Sequence, residues 1–211
     1  MNEQDLRAAI VRWGASLFSR GLTGGSSGNI SVRLEAGYLA TPTNSCLGEL
    51  VASRLSKLDA AGRHIGGDPP TKELPLHLAF YLNRPAARAV VHLHSTYATA
   101  LSCLADTNAA DALAPLTPYG IMRLGKLPLT PYSRPGSAGL ATPVAELARD
   151  HVAVLLQNHG PVVSGQTLEE AVFAAEELEA SAKLALLTRG LPVRLLGADA
   201  VADLERHFRT K

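Results

Sequence analysis

Three places in the sequence bring together residue types that could do chemistry. The first is His92-Leu93-His94. On a strand, positions i and i+2 share a face, so both imidazoles would leave the sheet side by side, roughly 7 Å apart at the backbone. Two ring nitrogens at that spacing can converge on one metal ion at about 2 Å each, with Leu93 facing the core. The plain alternative is a pair of hydrogen-bonded histidines on a polar strand face. The second place is Asn158-His159-Gly160, a tight turn after the apolar run 152–156, whose tip would present a third imidazole. Three neutral imidazoles with a carboxylate or water make a tetrahedral zinc site. The third is Glu73, expected in the first turn of a helix, which is the candidate carboxylate. An acidic residue in a first turn also favours the helix dipole, so spacing alone leaves both readings open. His77, four residues later, is either a neighbour of that site or a histidine at the core edge. His64, His151 and His207 have no partner in the sequence.

Three further stretches could hold an anion. Gly28-Asn29 ends a loop with four glycines in the ten residues 21–30. Glycines allow close backbone approach, and serial amides can cradle an anion, although an ordinary flexible loop has the same composition. The loop matches neither the Walker A pattern nor a dinucleotide fingerprint. Thr41-Pro42-Thr43-Asn44 offers hydroxyl and amide donors in a second turn. Thr71-Lys72 stands at a helix N-terminus, where the dipole favours an anion and Lys72 adds a full charge.

The elements that must position these residues follow from periodicity and punctuation. Leu6, Ala9, Ile10, Trp13 and Leu17 recur at helical spacing over 3–19, with Gly21 as a stop. Residues 30–34 alternate as a strand and pair with 38–41 across Gly37. Residues 56–59 and 64–65 form a short hairpin. Asp68-Pro69-Pro70 breaks the chain before a helix over about 71–82, which admits Pro75 only beside its first turn. Residues 89–94 read as a buried strand and 96–103 as a helix. The proline-rich stretch 106–143 reads mostly as loop, with a strand or two such as 121–124. Strands at 152–156 and 162–163 flank His159, and Thr167-Leu168-Glu169-Glu170 opens a helix to about 188 as a capping box. The pattern predicts a mixed α/β sandwich in a single domain over 1–211. It is too irregular for a barrel or a dinucleotide fold.

Composition narrows the function. With 211 residues, 46% hydrophobic and 18% charged, the chain can bury a substantial core. Twenty Lys+Arg against 19 Asp+Glu leave a net charge of +1, without the basic excess of a dedicated nucleic-acid binder. No apolar run reaches membrane-spanning length, and the acidic, polar start does not read as a secretory signal, so a cytoplasmic protein is expected. Cys46 and Cys103 lack metal-type spacing and are expected to be small core residues.

Taken together, Gly24-Gly25-Ser26-Ser27-Gly28-Asn29-Ile30-Ser31, Thr41-Pro42-Thr43, Glu73, His92-Leu93-His94-Ser95 and Asn158-His159-Gly160 resemble the class II aldolase/adducin family. These pieces occur in family order across about residues 5–190. The resemblance implies a central, mostly antiparallel, nine-stranded type of sheet sandwiched by helices. It also implies a homotetramer with active sites at subunit interfaces. It places zinc, or another divalent ion, on His92, His94 and His159, with Glu73 as the acid/base. Gly28, Asn29, Thr43, Asn44, Thr71 and Lys72 would hold the phosphate of a small sugar substrate.

The chain departs from the fuculose-phosphate aldolase pattern, which has Ser-Ser before the glutamate and Gly after the threonine, where this sequence has Thr71-Lys72 and Asn44. The pocket is therefore expected to be more positive and the substrate to carry a second negative charge. Together with residues 117–129 and 131–136, this is similar to a branch that decarboxylates 3-oxo-tetronate 4-phosphates to dihydroxyacetone phosphate in sugar-acid catabolism. The rival readings are a phosphorylated-ketose aldolase, a pentulose-phosphate 4-epimerase and a non-catalytic adducin-like scaffold.

Overall fold

The computed structural model describes residues 2–208. Helix α1 (Glu3–Ser19) opens on a reciprocal cap, in which the Asn2 side chain accepts from the Asp5 amide and the Asp5 carboxylate accepts from the Asn2 amide. The four strands β1 (Asn29–Leu34), β2 (Gly37–Ala40), β3 (Ser56–Leu58) and β4 (His64–Gly66) follow as an antiparallel series. Then come α2 (Leu74–Asn83), β5 (Ala89–His92), α3 (Thr96–Ser102), α4 (Pro118–Leu124), β6 (Leu129–Thr130) and α5 (Ala141–Leu147). The chain continues through β7 (Ala153–Leu156), β8 (Gly160–Gly165), α6 (Leu168–Leu187) and α7 (Ala198–Phe208).

All eight strands join one sheet in the order β4-β3-β2-β1-β5-β8-β7-β6, antiparallel except for β6 beside β7. The expected mostly antiparallel sheet between helices is therefore present, with eight strands among the described residues in place of the nine implied by family resemblance.

Side-chain alternation splits the core in two. Ile30, Val32, Val91, Leu93, Leu155 and Val163 pack toward α1, α3 and α6. Val90, Val154, Leu156 and Val162 point the other way, with Leu76, Phe80 and Val144 from α2 and α5. The same alternation sends Asn29, Ser31 and His92 toward the α2 layer. Register then sets Asn29 opposite His92, and His92 opposite Val162. Strands β1 and β5 thus bring polar side chains from distant parts of the chain together.

The structure corrects several expectations. Strand β5 ends at His92, so His94 lies beyond it. The chain turns there to bring Ser95 to the N-cap of α3. Helix α2 begins at Leu74, leaving Glu73 as its N-cap residue and not in its first turn. Thr71 cannot be helical, because its amide donates to the Thr41 carbonyl in a cross-turn bond. Residues 121–124 are helical, because Thr117 caps α4 by accepting from the Gly120 amide and Pro118 occupies a first-turn position. The capping box at α6 is half formed: Thr167 accepts from the Glu170 amide, while the Glu170 carboxylate accepts from Gln166. Helix α7 was not anticipated. Neither cysteine is a core residue, Cys46 being partly exposed and Cys103 exposed at the C-cap of α3.

Leu93 is fully buried between the two histidines. Leu93→Ala should cost about 2–5 kcal/mol of unfolding free energy, measured by urea denaturation.

Candidate active site

The local backbone explains how each side chain reaches the site. His159 sits in a turn where Asn158 adopts a left-handed conformation (φ 56°) and Gly160 follows at φ 145°. A Cβ at Gly160 would lie 2.5 Å from the Leu93 carbonyl, so only glycine lets this turn press against the end of β5. Gly28, at φ 78°, is held less closely but still tightly: a Cβ there would meet the His92 carbonyl at 3.1 Å and Thr23 Oγ1 at 3.0 Å. Asn44 also adopts a left-handed conformation (φ 57°). This accounts for asparagine where the aldolase pattern has glycine, since both residue types tolerate that region.

Glu73 stands at an N-cap but makes no capping bond with its side chain. Its carboxylate turns instead to the end of the sheet. There Oε2 accepts from Asn29 Nδ2 at 2.9 Å and lies 3.3 Å from His92 Nε2, while Oε1 lies 3.1 Å from His159 Nε2. His92 Nε2 is 3.1 Å from His94 Nε2 and 3.3 Å from His159 Nε2. One ligand-type atom from each of Glu73, His92, His94 and His159 falls within 4.8 Å of all the others.

This geometry suits a divalent cation. Two nitrogens bound tetrahedrally at about 2.0–2.1 Å would lie about 3.3 Å apart, close to the observed separations. Hydrogen bonding alone does not account for the cluster. His92 Nδ1–H donates to the Pro161 carbonyl at 2.8 Å, which leaves Nε2 of the neutral ring as a bare lone pair. That lone pair faces two other ring nitrogens and a carboxylate oxygen, an arrangement that a positive charge between them would stabilise. Glu73 Oε1 is buried without a hydrogen-bond donor. His92, His94 and His159 would hold the ion, with Glu73 at its edge.

The electrostatics agree. Burial by itself would push the Glu73 carboxyl up, but the His159 and His92 imidazoles and the Asn29 amide outweigh it and hold the group well below the usual carboxylate range. At His94, partial burial and then the neighbouring imidazoles of His92 and His159 hold the ring down to about 4, so it is neutral and able to ligate near pH 7. His77 is fully buried, and that burial lowers its pKa to about 3.

Beside the cluster lies a cleft of about 220 Å³. Gly28, Asn29, Thr43, Asn44, Thr71, Lys72, Glu73, His94 and His159 all line it, so every residue expected in the phosphate pocket borders one space, while His92 lies buried beneath. Cross-links fix its walls: the Thr43 amide donates to the Pro69 carbonyl, the Thr71 amide to the Thr41 carbonyl and the Ile30 amide to Thr41 Oγ1. Sequence reasoning missed Ser26 and Ser27, which also line the cleft, and Pro135-Gly136, which borders it beside Lys72. It also missed the bonds from His77 to Ser31 and Asn29; the alternation of Asn29 and Ser31 on β1 was the signal for them.

The profile of the Class II Aldolase and Adducin N-terminal domain matches residues 8–186. The chain is 52% identical over 204 residues to a 3-oxo-tetronate 4-phosphate decarboxylase from Pectobacterium atrosepticum, covering 96% of this chain and 94% of that protein. It is 34% identical to an L-fuculose phosphate aldolase from Escherichia coli, over all of this chain and 97% of that protein. Among solved structures, YgbL from Escherichia coli superimposes with a TM-score of 0.94 at 49% identity, covering 96% of this chain and 98% of YgbL.

Two outcomes are expected. Elemental analysis should find one divalent ion per chain, and His92→Ala should lose it, since two imidazoles hold such an ion weakly in an open site. The second concerns acid stability. The folded chain keeps His77 neutral down to about pH 3, whereas the unfolded chain takes up a proton near the ordinary value of 6.5. The stability so contributed is complete above about 6.5 and is lost progressively below it. The urea midpoint of the metal-free protein should therefore fall between about pH 7 and pH 5, and His77→Gln should make that fall shallower.

Proposed function

Since the chain belongs to the class II aldolase and adducin family, we propose that it is a metal-dependent carboxy-lyase. It converts a 3-oxo-tetronate 4-phosphate to dihydroxyacetone phosphate and carbon dioxide. The observation that carries this reading is the Glu73–His92–His94–His159 cluster opening directly onto a cleft lined by Lys72. Near-full-length similarity to curated decarboxylases supports decarboxylation over the other reactions of the family.

The chain's residues divide the work. The cleft formed by Gly28, Thr43, Asn44 and Thr71 holds the phosphate, and Lys72 supplies the cation that the three turns lack. The substrate loses its C1–C2 bond, and carbon dioxide leaves. The electron pair passes into the C2–C3 unit with charge on the C3 oxygen, and C2 then takes a proton from solvent, relayed to it through the ionised Glu73 carboxylate. A divalent ion bound by the three histidines supplies Lewis-acid stabilisation of that oxygen's charge, worth several kcal/mol. Glu73 suits its part because Asn29 fixes its carboxylate and the surrounding walls exclude most water.

We read the ion as zinc, the whole of 1–211 as one domain, the assembly as a homotetramer and the location as cytoplasmic. These finer readings rest on family likeness. Aldol cleavage is the second reading, favoured by full-length similarity to L-fuculose phosphate aldolase. Both reactions leave negative charge on the same oxygens, so the metal cluster does not separate them. Lys72 bears on the choice, because a cation before the N-cap of α2 opposes the dipole unless an anion lies between them.

The test is release of carbon dioxide against release of an aldehyde, using the metal-loaded protein and a phosphorylated four-carbon 3-oxo acid. Carbon dioxide is expected, and an aldehyde from a ketose phosphate without it would favour the aldolase. Lys72→Ser should raise KM roughly tenfold with kcat little changed if Lys72 holds the phosphate. A parallel fall in kcat would place the substrate carboxylate at Lys72, and no change in either would remove Lys72 from the site.

A further inference from the structure

Behind Glu73 runs a chain of buried polar groups that the reaction described above does not use. Tyr81 Oη is 2.7 Å from Ser31 Oγ, and Ser31 Oγ is 2.7 Å from His77 Nδ1. His77 Nε2 contacts Asn29 Oδ1, and Asn29 Nδ2 reaches Glu73 Oε2 at 2.9 Å. Ser31 and His77 are wholly buried, and Tyr81 and Asn29 are 3% and 4% exposed.

Direction in this chain is forced from the Glu73 end. A carboxylate only accepts, so the NH₂ of Asn29 must face it. The Asn29 carbonyl oxygen therefore faces His77 and can only accept, so His77 Nε2 must carry a hydrogen. A neutral, buried His77 then has a bare Nδ1, which must accept from the Ser31 hydroxyl. Ser31 Oγ in turn accepts from the Tyr81 hydroxyl. Every group is satisfied in one direction only. The remaining hydrogen of the Asn29 amide has no hydrogen-bond partner among the described residues, and Asn29 borders the cleft between Gly28 and Thr43.

We infer that Tyr81, Ser31 and His77 are positioning residues that lock the Asn29 amide in the one orientation that joins the Glu73 carboxylate to the phosphate side of the cleft. One amide then serves two ends. One N–H fixes the plane of the Glu73 carboxylate, and the other is presented to the bound anion. A flipped amide would set a carbonyl oxygen against the carboxylate and withdraw the donor. The buried chain opposes this, because a flip forces His77 into its other tautomer and reverses Ser31, leaving the Tyr81 hydroxyl hydrogen without an acceptor among the described residues. Phosphate binding and the aim of Glu73 are thus mechanically linked. The kinetic part of this inference rests on the decarboxylase reading, whereas the hydrogen-bond direction does not.

Two measurements test it separately. In the wild-type protein, nitrogen NMR of the imidazoles should show neutral His77 protonated at Nε2; protonation at Nδ1 would overturn the chain whatever reaction the protein performs. In kinetics with the metal-loaded protein, His77→Leu should lower kcat roughly ten- to hundredfold and raise KM by roughly threefold or more as the anion loses its Asn29 donor, with metal content kept. His77→Gln, which can offer an N–H toward Asn29 and a carbonyl toward Ser31, should recover most of that loss. Tyr81→Phe removes only the far end and should lower kcat by about threefold or less, which provides a reading should His77→Leu not fold. An unchanged kcat in both His77→Leu and Tyr81→Phe, or loss of metal from a folded His77→Leu, would overturn the positioning role. No carbon dioxide from the wild-type enzyme would refute the decarboxylase reading alone and leave the tautomer result to decide this one.

Discussion

Three imidazole nitrogens and a carboxylate oxygen are packed against one another at 3.1–3.3 Å, with at least one lone pair aimed inward. Bare, such a cluster repels itself, so the surrounding fold must hold it open against that repulsion. The burden falls on the centre of the sheet. His92 ends β5, the most central of the ligand-bearing elements, and its Nδ1–H is tied to the strand that follows His159. Gly160 lets the two backbones approach more closely than any side chain would allow. Ridges of Val and Leu on both faces of β5, β7 and β8 then pack this region tightly, so that it resists deformation.

The anion cleft is built on a different principle. Its walls are turns, not strands, and their stiffness comes from cross-links between loops distant in sequence. Left-handed Asn44 and Gly28 shape the backbone, while Thr41 and Thr71 use their amides or hydroxyls to tie neighbours together and so are not free to serve only a ligand. Glu73 belongs to both parts. A residue at an N-cap ordinarily spends its side chain on the first turn, and this one spends it on the sheet.

Much of this was legible in the sequence. The Glu73–His92–His94–His159 cluster could be read because imidazole is a rare side chain and because turn residues around His159 announce a presented tip. The first helix and the hairpins could be read from simple periodicity. The reasoning on His92 and His94 reached the right neighbourhood by an incomplete route, since the strand stops at His92 and His94 arrives from the connection to α3. Residues 121–124 read as a strand because Ile121, Met122 and Leu124 look like a strand fragment, and the capping role of Thr117-Pro118 outweighs them. Helix α7 was not foreseen, and the cysteines were misplaced because composition says nothing about which face of α3 looks outward. The bonds behind Glu73 were only half legible, because alternation on β1 marks Asn29 and Ser31 but not how α2 packs over them from more than forty positions away.

That separation shapes how the protein comes into being. His92 and His159 lie 67 positions apart, and Asn29 and Glu73 lie 44 apart. No fragment of the chain can gather the cluster, and no local helix or hairpin approximates it. Closing loops of this length is an entropic cost met before any reward, which makes a topology of this kind slow to fold. An ion recognising all four groups is therefore blind to nascent and half-folded forms and stabilises only the finished chain. A divalent ion held by that cluster would thus not guide the chain to its fold but would retain those molecules that have reached it.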